Sequence, residues 1–197
     1  LDPESGLSWA RVTDAARALR QRLADSGLTS FVTSKGGKGL HVVVPLSSSP
    51  RASGGWDDVK AWSRAIAESM ERESPDLYTT NMRKVLRKDR IFIDYLRNGR
   101  GATAIAPYSM RARPGAPVAA PLRWDEIDDV KPGQLTVLNL HERIAKVGDV
   151  WRDYFAVRQS LPASTSSPKS SKSSKSSKSS GSPNKRAAET RTQRAHP

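Results

Sequence analysis

The 197-residue chain contains no cysteine, and this absence excludes several kinds of chemistry at once. A disulfide framework, a cysteine zinc site and a thiol nucleophile are all ruled out. No apolar run approaches the roughly 20 residues that cross a bilayer. The first residues also lack the basic and apolar regions of a secretory signal. The sequence therefore predicts a soluble protein, for which a reducing cytoplasm is the most suitable compartment.

Acidic residues are scarce relative to basic ones. The chain has 20 Asp and Glu against 33 Lys and Arg, which gives a formal net charge of +13. At this length one globular domain is expected. Such a large positive excess on one domain points to a polyanion, DNA or RNA, as a partner.

Large apolar residues are missing from residues 162–197. This segment contains no Leu, Ile, Val, Phe, Tyr or Trp, so it cannot bury enough apolar surface to offset the entropy of ordering, and disorder is predicted. Its eight basic residues and one Glu give it a net charge of +7, which leaves +6 for residues 1–161. Lysines that recur every third residue among serines suit a mobile arm contacting phosphates. A solubilising linker to another domain would have the same composition.

Helix and strand patterns are mixed through residues 1–161. Apolar residues at spacings of three and four predict amphipathic helices, at residues 8–26 and about 56–73. Runs rich in β-branched residues predict strands, at residues 29–34, 40–46, 91–96 and 102–107. Two closing helices are predicted at residues 140–148, opened by a capping box of Asn139 and Glu142, and at residues 149–161. About four strands and five helices in this mixture predict an α+β fold.

The first candidate site is the glycine-rich segment of residues 34–41, between two predicted strands. Three glycines in four positions let the backbone approach a ligand closely, and the donors of Ser34, Lys38 and His41 suit phosphate oxygens. The spacing differs from that of a Walker loop, which opens a helix. An ordinary glycine hairpin with exposed lysines, and a histidine satisfied within the core, would fit the same residues.

The second candidate is Asp94, near the end of the apolar run of residues 91–96. Strand alternation places its side chain on the same face as that of Phe92. A carboxylate in such surroundings needs a partner or a metal ion, because an unpaired buried charge is costly. A salt bridge to Arg97 or Arg90 would satisfy it as well as a metal ion would.

The third candidate is Asp2, which precedes Pro3 and the first predicted helix. Considered alone, it is best explained as an aspartate at a helix entry. It gains a different meaning only together with the two other sites.

These three segments, in this order, resemble the polymerase domain of bacterial DNA ligase D, a primase-like module of the archaeo-eukaryotic primase superfamily that acts in non-homologous end joining. Residues 1–3 match the end of the family's D-L-D-P motif, residues 34–41 its glycine-rich segment, and residues 91–98 its I-F-I-D-Y-L-R-N segment. The likeness continues through residues 104–118 and covers nearly all of residues 1–161. It implies the C-terminal portion of a primase-like domain, a mixed or antiparallel sheet with flanking helices, followed by a disordered tail at residues 162–197.

The resemblance implies template-directed nucleotidyl transfer, which fills gaps and extends ends with DNA or RNA nucleotides. Two ions, Mg²⁺ or Mn²⁺, would be held by the carboxylates of Asp2 and Asp94, since oxygen ligands suit these hard cations. By the same resemblance, the residues that hold the triphosphate of the incoming nucleotide, or add positive charge near it, would be Ser34, Lys38, His41, Arg97 and Arg111.

The resemblance also implies partners. DNA ends and gapped DNA would be bound, and Ku and a DNA ligase module would act with the domain in the cytoplasm, at the nucleoid and away from any membrane. The candidate surface for the DNA backbone is the basic run Arg83, Lys84, Arg87, Lys88 and Arg90. A solvated helix face would show the same pattern.

The sequence departs from the family pattern at its start. Residue 1 is the Leu of D-L-D-P, so the first aspartate of that motif and the upstream half of the domain are missing from this sequence. We therefore expect a truncated domain whose two-ion site is incomplete and whose polymerase activity is little or none. The alternative is a non-catalytic basic DNA-binding module. A generic metal-dependent nuclease is disfavoured, because the glycine-rich segment suits a triphosphate.

Overall fold

The computed structural model describes residues 1–47 and 55–162. From residue 163 onward the predicted disordered tail lies outside the described residues. Within the described part, no helix is long and apolar enough to cross a membrane.

Eight short strands and three α-helices make up the regular structure of the described residues. The strands are β1 (Asp2–Pro3), β2 (Phe31–Ser34), β3 (Leu40–Val43), β4 (Tyr78–Thr79), β5 (Ile91–Phe92), β6 (Ser109–Met110), β7 (Val118–Ala119) and β8 (Pro121–Leu122). The helices are α1 (Trp9–Asp25), α2 (Trp56–Glu73) and α3 (Leu140–Val147). Single 3-10 turns are found at Lys84–Leu86 and Leu96–Asn98.

The strands form three small sheets. In the first, β5 is central, antiparallel to β1 and parallel to β4. In the second, β2 pairs antiparallel with β3 and β8, and Ser34 lies opposite Leu40 across the glycine-rich loop. The third sheet pairs β6 with β7. Both strand orientations occur together with helices, so the predicted α+β class is confirmed.

Helices α1 and α2 form as the apolar spacing predicts. The buried face of α1 includes Val12, Ala16 and Leu23, and Met70 of α2 is fully buried in the same core. The two helices are joined by an ion pair in which Arg22 Nη1 donates to Glu73 Oε1 at 2.9 Å. The two helices therefore pack on one core with strands β2 and β5.

Two predicted strands differ from the structure. The strand predicted at residues 91–96 stops at Phe92, because Asp94 Oδ1 accepts the amide hydrogen of Leu96 at 3.2 Å and the chain turns there. The strand predicted at residues 102–107 does not form. Pro107 has no amide hydrogen to donate to a ladder, and Tyr108 has a positive φ of 64°, so pairing begins only at Ser109.

The end of the described chain also differs from the prediction. Residues 149–161 form turns instead of a helix, and their aromatic side chains pack against β2, with the rings of Phe31 and Tyr154 5.1 Å apart. Helix α3 does form, but without the predicted capping box. Asn139 Oδ1 accepts a hydrogen bond from the amide of Thr136, 2.9 Å away, rather than from the helix.

Candidate functional site

A cleft of about 950 Å³ lies where the loops after β2 and β5 meet β1, β3 and the segment after β6. Its apolar wall includes Leu19 of α1 and Trp62 of α2. Its ionic side chains are Asp2, Lys35, Asp94, Arg97, Arg111 and Arg113, and His41 and Tyr95 line it as well. The cleft thus brings together five of the residues predicted for the site, from segments far apart in the sequence.

Asp2 is held in the cleft by sheet pairing and by two cations. It lies opposite Phe92, which is two residues before Asp94. Lys35 Nζ is 3.3 Å from Asp2 Oδ1, and Arg87 Nη1 is 2.9 Å from Asp2 Oδ2. Burial alone would raise the pKa of Asp2, but the charges of Lys35 and Arg87 outweigh it and keep that pKa below its usual value. Asp2 is therefore ionised and fully paired.

Asp94 lies at the turn that ends β5. Its Oδ2 accepts a hydrogen bond from Arg97 Nε at 3.2 Å, so the salt bridge considered from the sequence does form. Arg97 also donates through Nη1 to the carbonyl oxygen of Thr103, 2.6 Å away. The other partner considered, Arg90, donates to the carbonyl oxygen of Pro75 instead. A role for Asp94 in metal binding stays a prediction.

The donor chemistry of the cleft suits a hard divalent cation. Two carboxylates, Asp2 and Asp94, face the same space. Mg²⁺ is commonly bound by one or two carboxylates together with substrate phosphates and water. Among the described residues no group of three or more His, Cys, Asp or Glu side chains could hold a metal ion. Asp2 and Asp94 would therefore offer an ion two carboxylates, with triphosphate oxygens and water completing its coordination, and a second ion would need further ligands.

Only part of the predicted triphosphate set lines the cleft. Ser34 is buried between strands, where its Oγ donates to the carbonyl oxygen of Val118 at 3.3 Å and accepts the amide hydrogen of Ala120 at 3.0 Å. Lys38 is exposed, and its Nζ is 3.1 Å from Ser5 Oγ. His41 does line the cleft. Lys35, which the sequence did not single out, is the lysine of this loop that faces the cleft.

Two glycines of the loop make room for cleft cations. A Cβ at Gly36, which has a φ of +63°, would lie 2.8 Å from Arg111 Cγ. A Cβ at Gly39 would lie 2.4 Å from the carbonyl oxygen of Leu1 and 2.9 Å from Lys35 Cδ. The loop therefore needs glycine at both positions so that the backbone and these two cationic side chains can pack closely.

His41 is neutral in this environment. Burial first, and then nearby positive charges including those of Lys35, Arg97 and Arg111, lower the pKa of His41 to about 4. The neutral imidazole adds a hydrogen-bonding group to a strongly cationic lining without adding another charge. Such a lining attracts an anion.

The cations of the basic run at residues 83–90 differ in their exposure to solvent. The side chain of Arg87 is only 14% exposed and points inward to Asp2, with its guanidinium 4.0 Å from the centre of the Phe92 ring. The members of the predicted DNA surface that are exposed to solvent are Arg83, Lys84 and Lys88. Contact with DNA stays a prediction for all five residues of the run.

Comparisons with known proteins show which family the chain is similar to. A family model described as the LigD primase-polymerase domain matches residues 1–151. The multifunctional non-homologous end joining protein LigD of Pseudomonas aeruginosa is 36% identical over 167 residues, covering 83% of this chain and 19% of that protein. The bifunctional LigD of Bacillus subtilis is 33% identical over 165 residues, covering 83% of this chain and 26% of that protein. The chain thus spans about a fifth to a quarter of the length of these relatives.

A solved structure shows the same fold. The polymerase domain from Mycobacterium tuberculosis ligase D, in complex with DNA, superposes with a TM-score of 0.72 at 36% sequence identity. The match covers 79% of this chain and 53% of the solved one. The resemblance drawn from the sequence motifs is confirmed.

Proposed function

The chain belongs to the LigD primase-polymerase domain family, and from this premise we propose that its cleft binds a nucleoside triphosphate with Mg²⁺ or Mn²⁺ for nucleotidyl transfer. The DNA or RNA nucleotide would be added to a DNA 3′ end, in gap filling and end extension during double-strand-break repair by non-homologous end joining. The observation that carries the proposal is the pairing of two carboxylates, Asp2 and Asp94, with a cationic lining in one cleft.

Five side chains of the cleft divide the tasks of this reaction. When bound, the divalent ion would activate the 3′-hydroxyl and neutralise phosphate charge, held by Asp2 and Asp94. Arg97 and Arg111 present guanidinium groups, which bind phosphate oxygens in a bidentate geometry. Neutral His41 can donate one hydrogen bond to the same group of oxygens. Together these residues would orient the triphosphate for attack at its α-phosphorus, with pyrophosphate as the leaving group.

The cleft supplies two carboxylates where two-ion chemistry uses more oxygen ligands. We therefore expect the isolated 197-residue chain to bind a metal–nucleotide complex but to extend primers weakly. Primer extension on a gapped, 5′-phosphorylated duplex with Mn²⁺ and ribonucleotides tests this point. Robust extension by the chain alone would contradict it.

DNA would be the macromolecular partner, bound as ends or gaps through the exposed cations at residues 83–88. The similar structure was solved in complex with DNA, and the similar proteins are named for non-homologous end joining, which supports this assignment. By the same reasoning, Ku and a DNA ligase module would be the protein partners, and the site of action would be the bacterial nucleoid.

Nucleotide binding gives the decisive test. We expect a non-hydrolysable nucleoside triphosphate to bind the chain in the presence of Mn²⁺, as measured by isothermal titration calorimetry. Asp94→Asn should weaken this binding at least tenfold, or about 1.4 kcal/mol. The matched control is Asp76→Asn, which makes the same change at an exposed aspartate outside the cleft lining. Equal affinity of the Asp94→Asn variant and the unsubstituted chain would overturn the proposed function.

A further inference from the structure

Lys35 occupies a constrained position at the mouth of the glycine-rich loop. It directly follows β2, and its amide donates to the carbonyl oxygen of Gly39 at 3.2 Å, which closes the loop. The stem of its side chain runs past Gly39, where a Cβ would lie only 2.9 Å from Lys35 Cδ and 3.4 Å from Nζ. The side chain is 26% exposed, and its ammonium group reaches Asp2. The loop thus directs this lysine onto a proposed ion ligand.

The pairing of Lys35 with Asp2 creates a competition. An ammonium group 3.3 Å from Asp2 Oδ1 takes a place that a divalent cation on the same oxygen would need. An ion on that oxygen and the ammonium group beside it would repel each other, so ion binding must release Lys35 from the carboxylate. Once released, the ammonium group remains in a cleft whose expected occupant is a polyanion. A lysine suits this exchange, because its flexible stem carries a compact charge with three donors.

We propose that Lys35 couples divalent-ion binding to nucleotide binding, by holding Asp2 in the empty cleft and moving to the triphosphate when an ion takes Asp2. This inference rests on the proposed function and deepens it. Lys35 is then a positioning residue for the ion and a binding residue for the nucleotide. It competes with the ion when no nucleotide is present, and it strengthens triphosphate binding when the ion is bound.

The proposal predicts changes of opposite sign in two affinities. Removing the charge of Lys35 frees one oxygen of Asp2, so Mn²⁺ should bind the nucleotide-free chain about three- to fivefold more tightly. The same change removes a cation from the triphosphate, so nucleotide affinity at saturating Mn²⁺ should fall about three- to tenfold. A purely structural role would weaken both affinities, because a distorted cleft binds neither ligand well.

The experiment uses the full 197-residue chain and Lys35→Met. Free Mn²⁺ is measured by electron paramagnetic resonance without nucleotide, and binding of a non-hydrolysable nucleoside triphosphate is measured by calorimetry at saturating Mn²⁺. Lys146→Met is the matched control, since Lys146 is exposed on α3 and lies outside the cleft lining. Lys35→Arg keeps the positive charge on a larger, planar group and should lose less nucleotide affinity than Lys35→Met does. Circular dichroism of each variant checks that it is folded.

Each outcome decides for or against the proposal. Tighter Mn²⁺ binding together with weaker nucleotide binding, in Lys35→Met but not in Lys146→Met, supports it. Loss of both affinities, no change in either, or a larger loss of nucleotide affinity in Lys38→Met than in Lys35→Met overturns it. If the unsubstituted chain binds no Mn²⁺–nucleotide complex, the proposed function fails and the inference fails with it. If the unsubstituted chain binds the complex, and this binding is lost in Asp94→Asn but both affinities are unchanged in Lys35→Met, the inference alone fails.

Discussion

His41 reports on the charges of the cleft through the pH dependence of folding. In the folded chain burial and neighbouring cations lower the pKa of His41 to about 4, whereas its ordinary value is 6.5. Because the folded-state pKa is the lower one, protonation favours the unfolded chain. The contribution of neutral His41 to stability is fully present above about pH 6.5 and is lost as the pH falls towards 4.

The magnitude follows from the two pKa values. Each pH unit between them costs about 1.4 kcal/mol, so about 3 kcal/mol is lost over the whole interval. Replacing His41 by Gln removes this titration and leaves those of the carboxylates in place. The free energy of unfolding of the unsubstituted chain should therefore fall about 3 kcal/mol further than that of the His41→Gln variant between pH 6.5 and pH 4.

Urea unfolding gives the required free energies, and the five tryptophans of the chain provide a fluorescence signal. The control is His141→Gln, which changes a histidine with a side chain that is 74% exposed. Unfolding free energies that fall in parallel with pH for the unsubstituted chain and the His41→Gln variant would refute the reasoning. That result would mean that the cleft does not disfavour positive charge at His41.

Three further predictions concern the frame of the site and its surface. Arg143→Met leaves the carboxylate of Glu126 buried without its ion pair, so the free energy of unfolding measured in urea should fall by about 3–5 kcal/mol. The double variant Glu126→Gln/Arg143→Met should recover much of this loss. Gly39→Ala places a Cβ 2.4 Å from the carbonyl oxygen of Leu1. This overpacking should lower the free energy of unfolding by about 1–3 kcal/mol in the same measurement. An unchanged midpoint of unfolding would contradict the packing described for the loop. In DNA binding, Arg87→Ala should leave the slope of log affinity against log salt concentration unchanged, because Arg87 faces Asp2. Alanine at an exposed cation that contacts a phosphate should instead reduce the magnitude of this slope by about 0.9. The exposed cations are Arg83, Lys84 and Lys88.

Local periodicity was enough to predict the long helices. The spacing of apolar residues placed helices at residues 8–26 and 56–73, and the structure has them at Trp9–Asp25 and Trp56–Glu73. The strands are only two to four residues long, and their limits depend on partners remote in sequence. Strand β5, for example, ends where β1 and β4 stop pairing with it. Such limits leave little trace in the apolar pattern of residues 91–96.

The candidate site was predictable in part, through motifs that matched a family. Asp2 and Asp94 were predicted from those motifs and do line one cleft. The choice among neighbouring loop residues was less accurate, because a glycine-rich loop has no periodicity to show which side chains turn inward. Ser34 satisfies the backbone between strands, and Lys35 takes the position that faces the cleft. The inward turn of Arg87 likewise depends on a tertiary contact with Phe92 that no local pattern encodes.

We expect a metal-bound nucleoside triphosphate to occupy the cleft that contains Asp2 and Asp94. Photo-crosslinking of an azido-nucleoside triphosphate, followed by mass-spectrometric mapping of the labelled peptides, tests this location directly. We expect labelling that requires Mn²⁺, is suppressed by unlabelled nucleotide, and maps to the cleft-lining segments of residues 35–46 and 93–113. Labelling that is independent of Mn²⁺, or that maps to segments outside the cleft lining, would contradict it.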